Sequence, residues 1–148
     1  MSPDWTQTGV VAVALLIGAA TVVLHYEGLR WMARHFGNSR DPIRRHVMLA
    51  IIFGLVALYV TEIGLFGVSL WAVLHLPGSG SVAGAHPVGI FDAMYLSAVT
   101  YTTVGFGDLA PVGKIRFIAA TEALLGLMMI TWSASFTYLE MSRHWRRR

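Results

Sequence analysis

The sequence predicts an all-α membrane protein in which three helices cross the bilayer and a fourth, shorter helix enters it and turns back through an irregular loop. Three observations carry that prediction. Hydrophobic residues make up 55% of the 148-residue chain and charged residues 13%, against roughly a quarter charged in an ordinary soluble domain. Three apolar runs are long enough to cross hydrocarbon, which takes about 20 helical residues. Between the second and third runs lies TYTTVGFGD, residues 100–108, where two glycines and three threonines interrupt apolar sequence.

The first run extends from Gly9 to Leu24 without a charge. It continues through HYEGLRWMARHF, whose stripe of Leu29, Met32, Ala33 and Phe36 against Arg30 and Arg34 suits a helix leaving the membrane. The preceding MSPDWTQT carries an acid and no base, and no small-residue cleavage site follows, so the run reads as a retained helix rather than a signal peptide. Pro3 and its polar neighbours predict a short frayed end before Gly9. Residues 1–36 thus form an N-terminal transmembrane helix, and the breakers Gly37, Asn38, Asp41 and Pro42 make 37–46 a basic loop.

The second run, Val47 to Leu76, holds one acid, Glu62; the third, Ile115 to Leu139, holds one acid, Glu122. The piece GIFDAMYLSAVTY between them is helical in character but too short to span, and reads as re-entrant. Asp92 near its start suits the free amides and the positive end of the helix dipole. The glycine-rich PGSGSVAGAHPVG, Pro77 to Gly89, is expected to form an exposed turret. No internal repeat is evident.

Charge placement orients the chain. Arg30, Arg34, Arg40, Arg44 and Arg45 precede the second run, and Arg143, Arg146, Arg147 and Arg148 follow the third. Short cytoplasmic loops collect such bases, so the 37–46 loop and the 140–148 tail are expected inside, and the N-terminus and turret outside. Lys114 and Arg116 are exceptions on the outer side. Trp5, Trp31, Trp71 and Trp145 fall near segment ends, where interfacial aromatics gather; Trp132 does not and is read as packing. The net charge of +3, placed this way, points to anionic lipid rather than nucleic acid. The absence of cysteine excludes a thiolate-held metal and leaves the redox compartment unread.

Non-helical backbone at membrane depth survives only where it is buried in protein or lines a watery cavity. TVGFG must therefore line something, and Gly105 and Gly107 permit backbone conformations that residues with a Cβ avoid. Successive carbonyls can then face one side, where a ring of them replaces a cation's water shell. One chain of this length cannot enclose a wide compartment, so a pore requires an assembly.

The stretch Thr103-Val104-Gly105-Phe106-Gly107-Asp108 resembles the potassium-channel signature, with Phe106 where tyrosine is commoner. Asp92 to Ser97 and Thr100 to Thr102 upstream, with Leu109-Ala110-Pro111 and Glu122 to Gly126 downstream, resemble the pore helix and inner helix of the bacterial two-transmembrane ion-channel family. The resemblance covers residues 47–139 as a pore domain and leaves the first helix outside, at the periphery. It implies a homotetramer around a central pore, with one filter strand per chain. It also implies K+ held by the carbonyls of Thr103, Val104, Gly105 and Phe106 and by the Thr103 hydroxyl. Thr102, Gly107, Asp108 and Glu122 would support the filter. Val104 and Phe106 would turn outward onto the pore helix. Phe106 lacks the hydroxyl that tyrosine would offer the pore helix, and Val99 stands where the family often has a glutamate, so a less tightly held filter is expected.

Other residues carry two readings. Glu122, about 10 Å along the third helix, is an intramembrane acid and so a functional candidate, or a hydrogen-bonded prop behind the filter. Glu62 could pair with Glu122, if one is protonated, or face another polar group. Gly126 is a hinge or a packing glycine. Ser133, Ser135 and Thr137 line the lower pore or ease helix approach. Arg30 and Arg34 sit too near the segment's end for a voltage sensor and read as lipid anchors. His25, His35, His46 and His144 read as ordinary exposed histidines near the cytoplasmic face.

These features favour a passive potassium channel, without enzyme activity or organic cofactor, in a bacterial inner membrane. A pore-like subunit that does not conduct alone is the alternative, and the intact TVGFG argues against it. A dinucleotide enzyme is suggested by Gly105, Gly107 and Ala110, but a Rossmann fingerprint needs a preceding strand and an acid about 20 residues on. No attached ligand-binding domain or full voltage sensor is expected, which leaves the gate to the filter, the inner-helix crossing or an unidentified regulatory partner.

Overall fold

A computed structural model describes residues 5–36 and 45–145. The chain order is α1 (Trp5–Phe36), α2 (Arg45–Leu74), β1 (Gly80–Ala83), α3 (Ile90–Tyr101), β2 (Ala110–Gly113) and α4 (Arg116–Trp145). Helices α1, α2 and α4 are each long and apolar enough to cross a membrane, and α3 is the short helix between them. The architecture is that of an all-α membrane protein.

Helix α1 begins at Trp5 rather than near Gly9, so the expected frayed end is helical from that residue on. The loop between α1 and α2 lies outside the described residues. Helix α4 runs beyond Leu139, the expected end of the third run, to Trp145, with Glu140 buried in its last turns.

Small side chains let the helices approach. Val10, Ala14, Gly18, Thr21, His25, Leu29 and Met32 form the buried stripe of α1, which lies along α4 and α2. One apolar cluster joins Val10 and Ala14 to Phe66 and Leu70 of α2, Leu96 of α3 and Ile118 of α4. A second joins Leu29 and Met32 to Ile51, Leu55 and Leu58 at the other end of α1 and α2. Helix α3 packs chiefly on α2.

The turret is not merely an exposed loop. β1 pairs antiparallel with β2 in the register Gly80↔Gly113, Ser81↔Val112, Val82↔Pro111 and Ala83↔Ala110, and Val82 is fully buried. Gly80 and Gly113 would each set a Cβ against the opposing backbone, so strands of ordinary residues could not close this ribbon. Two four-residue strands rich in Gly, Ala and Pro carry little strand propensity, which is why sequence alone suggests only turns. The ribbon ties together the two ends of the excursion containing α3 and the loop after it.

Ala14 is wholly enclosed, whereas its neighbour Leu15 is exposed on the outer side of α1. Replacing Ala14 by Leu should overpack the seam and cost about 1–3 kcal/mol, visible as a lower unfolding temperature in detergent. Leu15→Ala should leave that temperature nearly unchanged; equal losses from both would contradict this placement of α1.

Candidate functional site

Helix α3 starts with Gly89 as its N-cap, and the Gly89 amide donates to the Asp92 carboxylate at 2.8 Å, with Asp92 in the first turn. At its other end the chain leaves the helix without losing contact with it. The amides of Thr102, Thr103 and Gly105 donate to the carbonyls of Ala98, Thr100 and Val99 at 3.1, 3.0 and 3.1 Å, and the Thr102 hydroxyl donates to Ala98 at 2.7 Å. The loop thus hangs from the last turn of α3.

Its backbone then alternates. Thr103, Gly105 and Gly107 have φ of 59°, 54° and 82°, the left-handed region, and the residues between them do not. Such alternation turns successive peptide units so that like groups face one side. Thr103 is the sole described non-glycine residue with positive φ. This is a conformation costing roughly 1–2 kcal/mol, and it therefore persists because the surroundings impose it.

Val104 and Phe106 are 54% and 72% exposed within one chain, so one chain alone leaves much of both side chains uncovered, although the Gly105 amide still ties the loop to α3. The exit of the loop is braced instead by Tyr95, whose hydroxyl donates to Asp108 Oδ2 at 2.9 Å. The sequence reading names Asp108 but overlooks Tyr95; its place one to two turns before the loop, on the same helix, is the signal that could have found it. Val99 is part of the apolar core, not a vacant brace.

Behind α3 lie two buried acids. Ser97 Oγ donates to the Ile63 carbonyl at 2.8 Å and is in hydrogen-bond contact with the Glu122 carboxyl group. Glu62 does not meet Glu122. It accepts from the Tyr101 hydroxyl at Oε2 and from His25 Nδ1 at Oε1, 2.9 Å away. His25 is therefore fully buried rather than exposed, and its other nitrogen accepts from Ser133 Oγ at 3.1 Å. Ser133 accordingly faces α1 and does not line a pore, while Ser135 is exposed. Trp132 packs its ring 5.5 Å from the His25 ring. Arg30 pairs with Glu27 at 3.0 Å on the exposed side of α1.

Gly126 faces the end of α3. A Cβ there would lie 2.2 Å from the Tyr101 carbonyl oxygen, so close packing alone demands glycine.

A re-entrant helix with its loop between two spanning helices also sets this chain among known proteins. Residues 46–141 match the ion channel family. The protein is an ion channel of that family. It is 47% identical over 126 residues to Protein LctB of Geobacillus stearothermophilus, covering 85% of this chain and 88% of the relative. It is 28% identical over 99 residues to the inward rectifier potassium channel Kirbac3.1 of Paramagnetospirillum magnetotacticum, covering 66% of this chain and 34% of that protein. It is also 30% identical over 102 residues to a voltage-gated potassium channel of Aeropyrum pernix, covering 64% of this chain and 28% of that one. No solved structure matches the chain. An ion channel passes its substrate without making or breaking bonds, so the channel is not an enzyme. All of α1 lies outside the family match.

Two predictions follow from this geometry. The hydrogen bond to Asp108 holds the proton on Tyr95 and raises its phenol above the ordinary value, about 10. A raised folded-state pKa makes the brace complete below that value and lost as pH climbs through the folded pKa. A phenolate absorbance titration should show one fewer late-ionising tyrosine in Tyr95→Phe than in the native channel. An unchanged titration would contradict the brace. Gly126→Ala should displace the end of α3 and lower the unfolding temperature by several degrees, an amount set by about 1–3 kcal/mol of overpacking; a hinge role alone would leave that temperature unchanged.

Proposed function

We propose that this ion channel is selective for potassium and conducts it passively, with four copies arranged so that four TVGFG loops surround one axis. The observation that carries the reading is the alternating left-handed backbone at Thr103, Gly105 and Gly107. In that arrangement the carbonyls of Thr103, Val104, Gly105 and Phe106, with the Thr103 hydroxyl, replace the water around K+. Thr102, Gly107 and Asp108 support the loop from its ends, and Glu122 supports it through Ser97. Relatives named as potassium channels favour the same ion.

A fourfold assembly accounts for the exposed apolar side chains. Phe91 in the first turn of α3, and Val104 and Phe106 in the loop, are exposed in one chain and find partners only on neighbouring copies. Leu124, Leu127 and Met128 on α4 are exposed too and would face the axis or the next copy. The C-terminal end of α3 points its dipole toward the entry of the loop, and four such ends converge where a cation waits.

By the excess of basic residues, the 37–46 loop and the C-terminal tail lie in the cytoplasm and the turret outside, in a bacterial inner membrane. Anionic lipid would meet the two basic segments. Residues 47–139 form the pore domain in this reading, with 1–36 peripheral to it.

Potassium and sodium flux into liposomes containing the purified protein tests the proposal. The native channel should favour potassium. Gly105→Ala should lose that preference by about tenfold or more, since each of four subunits would carry a Cβ in the left-handed region at roughly 1–2 kcal/mol. Equal potassium preference in both proteins would remove Gly105 from the conduction path. Phe106→Tyr should keep the preference, because its side chain points away from the carbonyls.

A further inference from the structure

The buried histidine of α1 belongs to no part of the pore described so far, yet two hydrogen bonds join it through Glu62 to the last residue of α3, and a third joins it to α4. Ser133 of α4 donates to His25 Nε2, His25 Nδ1 donates to Glu62 of α2, and the Tyr101 hydroxyl of α3 donates to the other oxygen of Glu62. All four side chains are buried, and each would cost several kcal/mol to leave unpaired in an apolar surrounding. The His25 ring is further held by Trp132 at 5.5 Å and Tyr59 at 6.2 Å.

Tyr101 is the last residue of α3, and the loop amides bond to the turn it closes. Its carbonyl also touches the position of Gly126 on α4. A shift of the Tyr101 ring therefore moves the turn from which Thr103 and Gly105 hang. We propose that His25 is a positioning residue for the filter: by holding Glu62 it fixes Tyr101, so that α1, the helix beyond the family match, sets the ion preference of the loop. The proposal rests on the potassium-channel reading above. Glu62 has two oxygens and two donors, one from α1 and one from α3, so removing the first releases the carboxylate to rotate about the second.

The test compares potassium and sodium flux in liposomes for the native protein, His25→Leu, His25→Gln, Tyr101→Phe and the His25→Leu/Tyr101→Phe pair, each taken from the assembled fraction. Glutamine keeps both a donor and an acceptor; leucine keeps bulk alone. The potassium-to-sodium ratio should fall about fivefold in His25→Leu and in Tyr101→Phe and return toward native in His25→Gln. In the pair it should fall no further than in either single variant, as for residues in one network. A native ratio in assembled His25→Leu, or independent losses that add in the pair, would overturn the proposal while leaving the channel intact. Should His25→Leu fail to assemble, Tyr101→Phe decides, because it removes one hydroxyl and keeps the ring, and an unchanged ratio there overturns the proposal. Absence of potassium preference in the native protein would instead remove the channel reading and this one with it.

Discussion

Backbone that leaves its helix among membrane-spanning segments must be paired, enclosed or wetted, because hydrocarbon offers its amides nothing. Residues 102–109 are such a stretch, and much of the surrounding structure answers their need. Three amides return to the last turn of α3. The β1–β2 ribbon closes the two ends of the excursion with its own ladder, and Tyr95 holds Asp108 at the exit. A loop tied so closely at both ends can keep Thr103 in a conformation it would not otherwise choose.

The same constraint explains the polar groups inside apolar helices. Glu62, Glu122, His25, Ser97 and Ser133 are all buried, and polar residues in such helices persist when they pair with one another. Their bonds run between elements, not within one. Ser97 joins α3 to α2 and α4, while Glu62 joins α1 to the end of α3. Apolar contacts between helices in lipid gain little from hydrophobicity, since tails are as apolar as leucine. Directional bonds therefore fix how α3 sits, and small residues such as Gly126 let it sit close.

Spanning runs, the short helix and the signature loop were legible because each rests on local chemistry: length without charge, breakers at the ends, glycines at alternate positions. The fold followed from them with small shifts, such as α4 continuing past Leu139 to Trp145. The ribbon was not legible, since its stability lies in pairing residues about 30 positions apart that individually favour turns. His25 was misplaced for a related reason. It follows an uninterrupted apolar run, so composition sets it at the membrane edge, whereas the acid it serves is on another helix. Tyr95 was missed because a tyrosine in a short helix has many uses, and its partner is specified only once the loop folds back beside it. Ser133 was left between two faces of α4, and only the position of α1 distinguishes them.

That position follows from periodicity read at full helix length. Buried residues of α1 fall at 10, 14, 18, 21, 25, 29 and 32, in steps of 4, 4, 3, 4, 4 and 3. The larger buried residues of α2, at 51, 55, 58, 62, 66, 70 and 73, step by 4, 3, 4, 4, 4 and 3, with Gly67 buried beside them. Both average near the eleven-residue repeat, which lies close to the period of the helix itself and winds it only gently, to the right rather than to the left. A strict seven-residue stripe would wind the two helices about each other and swing successive buried positions around the neighbour. Nearly straight stripes instead keep the same faces opposed over the whole bilayer depth. A polar residue from each stripe, His25 and Glu62, can then meet in register between the two apolar clusters, with hydrocarbon packing above and below to exclude water. The helix outside the family match is thus positioned by its apolar stripe, and that stripe delivers to the interior a histidine bonded to Glu62 on one side and Ser133 on the other.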